Sequence, residues 1–362
     1  MCAISADVRQ KPRTTADSPV AVDSLSAETF NGIGNAADVT DNLKSLVPSF
    51  TATPATGDGS AFVRPTSLRG LAPDQTLVLV NGKRRHRSSL IHFFAPAAGN
   101  GAHGPDIGMI PGIALKRVEV LRDGAAAQYG SDAIAGVINF VTKDRPDGGE
   151  VAAQFGQFYE GENSYKVAGN IGLALGENGF FNFSAEYINN DALSRGIQRT
   201  DAQALIDAGN QGVGEDSPFG DAPFAQTWGR PETSGLRIFA SAGYDIGDNS
   251  EIYLTSSFAN TDGRFRFFYR NTGHSSLTSL VNNDGYTGSL LQTGFTPFLD
   301  GAQRDFSIVA GVRGEHSSGW NYDISAARGS NELDYFLNNS VNPSIGLGGD
   351  GEPANAILIW GL

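Results

Sequence analysis

Past residue 150 the chain falls into strict alternation. Val151, Ala153 and Phe155 are set against Glu150, Ala152 and Gln154. Tyr165, Val167, Gly169, Ile171, Leu173 and Leu175 are set against Ser164, Lys166, Ala168, Asn170, Gly172 and Ala174. The same two-residue period returns at 181–187, 236–244 (where Phe239 breaks it), 252–258, 306–312 and 320–324, and each run predicts a β-strand. Seven runs of about ten residues have the length and dyad repeat of membrane-crossing strands. A soluble sheet with one wet face alternates too, but its strands average only about 5–6 residues. The connections add to the pattern. Residues 176–179, 247–249 and 315–319 are tight turns, 160–163 is modest, and 189–235 and 260–303 are long. Short turns alternating with long loops suit a barrel with two unlike ends. Tyr159, Tyr165, Phe180, Phe181, Tyr187, Tyr244, Trp320 and Tyr322 sit near run ends, as interfacial girdles do. Residues 332–337 are a candidate eighth strand.

Before residue 145 the texture is different. Short β-type runs occur at 18–25, 61–63, 77–81, 117–121 and 136–142, with 66–70 a further short one. Ser26 with Glu28 and Thr29 opens a helical turn. Asp38–Leu46 carries Val39, Leu43 and Leu46 at helical spacing and is stopped by Pro48. Residues 85–105, with Gly99, Gly101 and Gly104, read as a long exposed loop. Pro146, Gly148 and Gly149 then break the sheet. The expected organisation is a polar linker at 1–16, an α+β domain at 17–144, and part of an antiparallel transmembrane β-barrel at 145–362. That barrel is incomplete, with seven or eight strands.

Composition narrows the function. The chain has 362 residues, 46 of them glycine, and only 18% are charged, unlike a helical enzyme rich in Lys, Glu and Leu. A net charge of −13 argues against a nucleic-acid partner. Cys2 is the single cysteine, which precludes an intramolecular disulfide and a cysteine-based zinc site. No run approaches the ~18 apolar residues of a membrane helix, so any crossing must be a closed barrel. The first residues lack the apolar stretch of a secretory signal. No GxSxG, Walker, HExxH or paired metal-ligand motif is present, so no catalytic residue, cofactor or metal site is expected. Residues 282–285 suggest a calcium loop, but the count puts Leu280 at the first ligand position, and the segment reads as a turn.

Residues 116–143, KRVEVLRDGAAAQYGSDAIAGVINFVTK, are the most specific signal. Val118, Val120, Val137, Ile138, Phe140 and Val141 suit a pleated surface. Gly124, Gly130 and Gly136 free the backbone, and Ala125, Ala126, Ala127 and Ala133 let chain pass close to chain. The stretch resembles the end of the plug domain in TonB-dependent outer-membrane receptors, of the form RVEVLxGxxxxxYGxxAxxGVINxVTK. Leu68-Arg69-Gly70 followed by 76–84 (TLVLVNGKR) resembles that family's LRG…xVLVDGxR. The resemblance implies a plug at 17–144 followed by the first barrel strands, in the outer membrane of a Gram-negative bacterium. It implies active uptake of a scarce nutrient of the ferric siderophore, cobalamin or oligosaccharide class. TonB, energised by its inner-membrane complex, would be the partner, with outer-membrane lipid around the barrel. Two features depart from the family. No TonB box is recognisable at 1–16 beyond a remnant at 3–6, and the family's barrel has about twenty-two strands. The chain therefore reads as a fragment. The alternative is a passive outer-membrane channel, or a non-transporting surface receptor that keeps a plug-like domain.

Two groups in the plug are candidate ligand contacts. Lys83-Arg84-Arg85-His86-Arg87 is a basic cluster in an acidic chain, and guanidinium forks suit carboxylate or phosphate. Arg84, Arg85 and Arg87 are its candidate ligand-binding residues; the competing expectation is that these cations pair with barrel-wall acids and lock the plug. His92 and His103 complete the candidate set. With His86 they invite a haem or metal role, but their spacing is unspecific and they read as solvated loop histidines. The resemblance implies that the loop 85–105 faces outward, as the floor of a site beneath loops 189–235 and 260–303.

Overall fold

The computed structural model describes residues 3–4, 13–14, 22–32, 38–52, 59–64, 66–92, 99–122, 129–210, 212, 225–226, 229–354 and 358–361. The expected linker, apart from a two-residue pairing of Ala3–Ile4 with Arg13–Thr14, lies outside the described residues, as do Gly124 and the three alanines after it.

The N-terminal domain is built on a five-stranded sheet. Its strands are β1 (Val22–Ser26), β2 (Thr76–Val80), β3 (Lys83–Arg84), β4 (Leu115–Leu121) and β5 (Gly136–Thr142), in the order β1-β4-β5-β2-β3. β2 and β5 are parallel, and the other pairs are antiparallel. Asn81 and Gly82 form the two-residue turn from β2 to β3, both with positive φ (50° and 78°), as a primed hairpin turn requires. Gly136 has φ 139°, and a Cβ there would strike the Leu121 carbonyl. Helix α1 (Ala27–Asn31) is capped by Ser26 and α2 (Val39–Leu46) by Asp38, both as the sequence suggests. Phe30, Leu43, Leu68, Val78, Val118, Val120, Ile138 and Phe140 form one buried apolar cluster. On the opposite face of the sheet, beside Leu121 and Val137, the buried Glu119 accepts from Asn139 Nδ2 (2.9 Å) and Arg117 Nε (2.7 Å).

Residues 61–63 are not a strand. They leave the 3-10 turn Gly59–Ala61, and Val63 packs on Leu90, Leu333 and Tyr335 instead of joining a sheet.

The rest of the chain is an eight-stranded antiparallel sheet, not closed on itself. Its strands are β6 (Gly149–Gln157), β7 (Asn163–Leu175), β8 (Gly179–Asn190), β9 (Glu232–Asp245), β10 (Ser250–Arg266), β11 (Phe298–Glu315), β12 (Asn321–Asn338) and β13 (Leu358–Gly361), in sequence order. The seven alternating runs occupy β6 to β12. Residues 332–337 are the upper part of β12 rather than a separate strand, and β13 is the eighth. Alternation sorts the two faces. Val167, Ile171, Leu173, Phe183, Tyr187, Ile252, Leu254, Phe258 and Phe306 are exposed on the convex face. Lys166, Asn170, Asn182, Ser184, Glu186, Arg237, Ser257, Gln303 and Asp305 are buried on the concave face against the N-terminal domain. An apolar outside and a polar inside is the membrane-barrel arrangement. Phe239, which breaks the sequence pattern, faces inward and joins the N-terminal domain's apolar cluster.

Candidate functional site

At the long-loop end a cavity of about 720 Å³ opens between the N-terminal domain and the wall. Asp38, Asp41 and Lys44 reach it from α2, Phe62 and Arg64 from the chain after the 3-10 turn, and Asn190, Arg230, Thr233 and Arg237 from the wall. Asp38 Oδ1 accepts from the Thr40 and Asp41 amides (2.9 and 3.1 Å), and its other oxygen meets Arg64. Arg64 also donates to Asp41 Oδ1 (2.6 Å). Burial would raise the Asp38 carboxyl, but Arg64 and Arg237 hold it below the usual range. Arg237 Nε donates to the Gly108 carbonyl (2.5 Å), tying wall to domain. Arg230 donates to Ser164 Oγ (3.0 Å) and the Asp191 carbonyl (3.3 Å) and lies 5.2 Å over the Phe158 ring. Phe62 sits against Gly263 and Gly301, where any Cβ would collide with its ring. This combination of cationic forks, carboxylates and aromatic faces offers hydrogen-bonding and stacking groups to the cavity.

The long connections leave the wall at this end. Helices α3 (Thr200–Asp207), α4 (Ser275–Asp284) and α5 (Leu290–Thr293) lie in them. The segment 282–285 is the end of α4, with Gly285 at φ 69° as its left-handed cap. Leu277, Leu280, Tyr286 and Phe295 form a small core with Val341 and Leu347. Arg199 holds the Asp201 carboxyl down at about 2, and Asp201 in turn accepts from Asn271 Nδ2 (3.1 Å), joining two loops. Burial pushes the Tyr269 hydroxyl up to about 12.

At the short-turn end a second cavity, of about 840 Å³, is lined by Lys83, Arg84, Arg85, Asp248, Tyr253 and Asp323, among others. Lys83 Nζ lies 2.9 Å from Asp323 on β12.

The structure does not bring the five predicted ligand contacts to one site. Arg84 and Arg85 line the short-turn cavity. Arg84 pairs with Asp132, and Arg85 is buried in an ion pair with Asp305 on β11, also donating to Ser257 Oγ (3.1 Å). Arg87 is exposed, on the Asp132 side. His103 Nε2 meets the Ser88 carbonyl. The expectation of solvated histidines in an exposed loop is overturned: His92 is 2% exposed, and Ser88, Leu90 and Ala102 are buried. The cause is contact with the wall. Ser89 donates to Asn331 Oδ1 through its amide (2.9 Å) and hydroxyl (3.0 Å), and Leu90 packs on Leu333 and Tyr335. Burial and the neighbouring His103 push His92 down to about 4. Residues 93–98 of this loop lie outside the described residues. Among the described residues no group of three His, Cys, Asp or Glu side chains could hold a metal.

Sequence reasoning missed Asp305, Gln303 and Asn331, which hold the loop. Asp305 carried a signal, as a polar residue on the face opposite the apolar row Phe306, Ile308 and Ala310, whereas Gln303 and Asn331 stand beside Arg304, Ser330 and Glu332 and carried none. Asp38 and Arg64 left no such signal, because they meet only through tertiary folding.

Comparison with known proteins places these features. Residues 14–137 match the family described as TonB-dependent Receptor Plug Domain. An iron-regulated outer membrane virulence protein of Vibrio cholerae is 40% identical over 108 residues, covering 29% of this chain and 15% of that protein. A vitamin B12 transporter of Photobacterium profundum is 32% identical over 113 residues, 31% of this chain and 16% of that one. A probable TonB-dependent siderophore receptor of Acinetobacter baumannii is 34% identical over 107 residues, 29% of this chain and 14% of that one. In fold the chain is similar to a variant of the ferric enterobactin receptor of Pseudomonas aeruginosa, crystallised with enterobactin. The TM-score is 0.54 and the identity 19%, covering 95% of this chain and 45% of that one. The chain thus spans under half of that solved structure, and its aligned part about 15% of these curated relatives.

Proposed function

We propose that this chain is part of a TonB-dependent receptor of the Gram-negative outer membrane, on the match of residues 14–137 to that family's plug domain, and that it serves active uptake of a scarce nutrient, of the ferric siderophore, cobalamin or oligosaccharide class. Its relatives include a vitamin B12 transporter and a probable TonB-dependent siderophore receptor. The ligand seat is the long-loop cavity, with Arg230, Lys44 and Phe62 as contacts, in place of the group Arg84, Arg85, Arg87, His92 and His103. TonB acts from the short-turn end, through the inner-membrane complex that energises it.

One observation carries the reading: a folded domain fills the polar concave face and leaves its recognition-type cavity beneath the long loops. Arg85 is spent on Asp305 and has no fork to offer a ligand. The test is binding and uptake of ferric enterobactin, cyanocobalamin and maltooligosaccharides by cells producing the receptor, with and without TonB. Arg230→Ala should weaken binding of the one that is taken up, while Arg87→Ala should not. Uptake that persists without TonB would instead favour a passive channel.

A further inference from the structure

Three of the described α-helices begin on a side-chain cap, and one of those caps is a base. Ser26 and Asp38 cap α1 and α2 through oxygen. α4 is capped by an imidazole, His274 Nδ1 accepting from the Ser276 amide (3.2 Å). A backbone amide can only donate, so that ring nitrogen carries no proton. A hydroxyl or carboxylate oxygen accepts throughout the neutral range, whereas an imidazole nitrogen stops accepting once it is protonated.

The cap sits where three connections meet. α4 belongs to the β10–β11 connection, and its buried Leu277 and Leu280 pack with Tyr286 and Phe295 and with Val341 and Leu347 from the segment after β12. The His274 amide donates to the Asn271 carbonyl (2.9 Å), and Asn271 Nδ2 donates to Asp201 of the β8–β9 connection (3.1 Å). The Leu277 and Thr278 amides both donate to the His274 carbonyl (3.0 Å each). One residue thus anchors the first turn of α4 and its link to a neighbouring connection.

We infer that His274 is a proton-operated latch on these long connections. Neutral, its ring holds the first turn of α4; protonated, it releases the Ser276 amide, and the turn frays and loosens its contacts. The surroundings fix the direction. Burial and the Arg270 guanidinium both hold the imidazole below its ordinary 6.5, and the helix N-terminus adds partial positive charge. Asp201, reached through Asn271, is already met by Arg199 (2.9 Å). Asp284, Tyr286 and Glu352 lie at the far end of α4, and α5 (LLQT) carries no charge. As pH falls below 6.5, the frayed form binds a proton that the capped form refuses, and the latch opens. That an open latch weakens the hold on a captured nutrient rests on the proposed function; the latch itself does not.

The first test needs neither ligand nor TonB. It is hydrogen exchange of the receptor in detergent, corrected for intrinsic exchange, between pH 7.5 and 5. Amides 276–280 should lose protection severalfold across that range, while those of β5 in the plug keep theirs. His274→Asn caps through an oxygen at every pH and should hold α4 protected throughout; His274→Ala should leave it poorly protected throughout. His92→Gln should leave the α4 response as it is. Protection that does not fall in the native receptor, or falls equally in His274→Asn, would overturn the latch. The native ring decides the matter if the variants assemble poorly. Its 15N shifts should show Nδ1 bare at pH 7 and protonated only below 6.5, and an Nδ1–H at pH 7 sinks the proposal. The link to capture is read separately, from ferric enterobactin, cyanocobalamin and maltooligosaccharides. Whichever binds should dissociate severalfold faster at pH 5 than at pH 7 from the native receptor, and not from His274→Asn. Equal pH dependence in both would overturn that link. Binding of none would overturn the ligand reading instead, and leave hydrogen exchange to decide the latch.

Discussion

The plug sheet and the wall sheet use similar residues to opposite ends. In the plug, β2 and β5 are buried on both faces, and their Val, Leu, Ile and Phe side chains meet one another. In the wall, each strand turns its apolar row outward and its Asn, Ser, Glu and Arg row inward. A soluble sheet would bury the row that this wall exposes. What differs is the solvent: lipid accepts the outer row, and the plug's hydrogen-bonding surface accepts the inner one. Burial alone therefore does not say which residues hold the molecule together. The plug is stabilised by area removed from water, and its seat in the wall by paired polar groups.

The most damaging change should lie in the plug core. Phe140→Ala removes a fully buried ring from the central strand and should cost the plug about 3–5 kcal/mol. Protection of plug amides against hydrogen exchange is the measurement. Phe306→Ala, the same truncation on the lipid face, should leave plug protection unchanged. Equal losses would mean that the two sheets are not energetically distinct. Next comes the wall. Ile171→Arg puts a charge on the lipid face and should cost about 2–4 kcal/mol if it lies near the bilayer midplane, read as lost heat-modifiable protein in outer membranes. On the inward row Asn170→Asp should cost less, because Arg145 Nη2 lies 3.3 Å from the side-chain oxygen and meets the new charge, although the donor to Asn182, Ser184 and the Phe183 carbonyl is lost.

These contrasts also show what the sequence could say. The seven wall strands were legible because lipid imposes a strict period of two, and Phe239 was conspicuous as the position where that period fails. β5 was legible to the residue, since Gly136 and the apolar run after it leave few other folds. Residues 61–63 misled, because Ala61-Phe62-Val63 has strand-like side chains whose place is set by Leu90 and Tyr335, remote in sequence. The loop 85–105 misled in the other direction. Glycine, histidine and arginine suggested solvent, but a lumen lined by Asp305, Asn331 and Gln303 is polar enough to take them in. A charge on one segment carries no mark of the partner that will bury it.

His92 sharpens the comparison through pH. Its folded value, about 4, lies below the ordinary 6.5 because burial disfavours the imidazolium. Above 6.5 the folded and unfolded forms are both neutral, and the residue is without effect. As pH falls from 6.5 towards 4, the unfolded chain takes up a proton that the folded one refuses, so stability drops across that window. Hydrogen exchange in residues 88–92 should quicken there, and His92→Gln should remove the part of the pH dependence that this residue contributes. A His92 that titrates near 6.5 in the native protein would mean that the loop is wet after all.

The smallest effect is expected where neither burial nor lipid is involved. Arg264 on β10 faces Asp300 on β11 through two contacts of 2.7 and 2.8 Å, beyond the apolar rows of both strands. The geometry is bidentate and matches that of a strong pair. The guanidinium is nonetheless 52% exposed, so water and salt screen it, and exposed pairs contribute about 0.2–1 kcal/mol. Arg264 also lies 5.1 Å over Phe298, and Arg266 covers the same ring, so losing one cation leaves the other in place. Arg264→Ala should therefore shift thermal unfolding in detergent only slightly, and less at high ionic strength. Arg85→Ala makes the formal counterpart, a cation removed from an aspartate on the same strand. There the aspartate is left buried with only His86 (2.8 Å) and Asn331 (2.9 Å) as partners, and breaking such a buried pair costs about 3–5 kcal/mol. A large, salt-independent loss at Arg264 would show that the upper wall behaves like the buried contact of Arg85 with Asp305, and that the division between them is drawn in the wrong place.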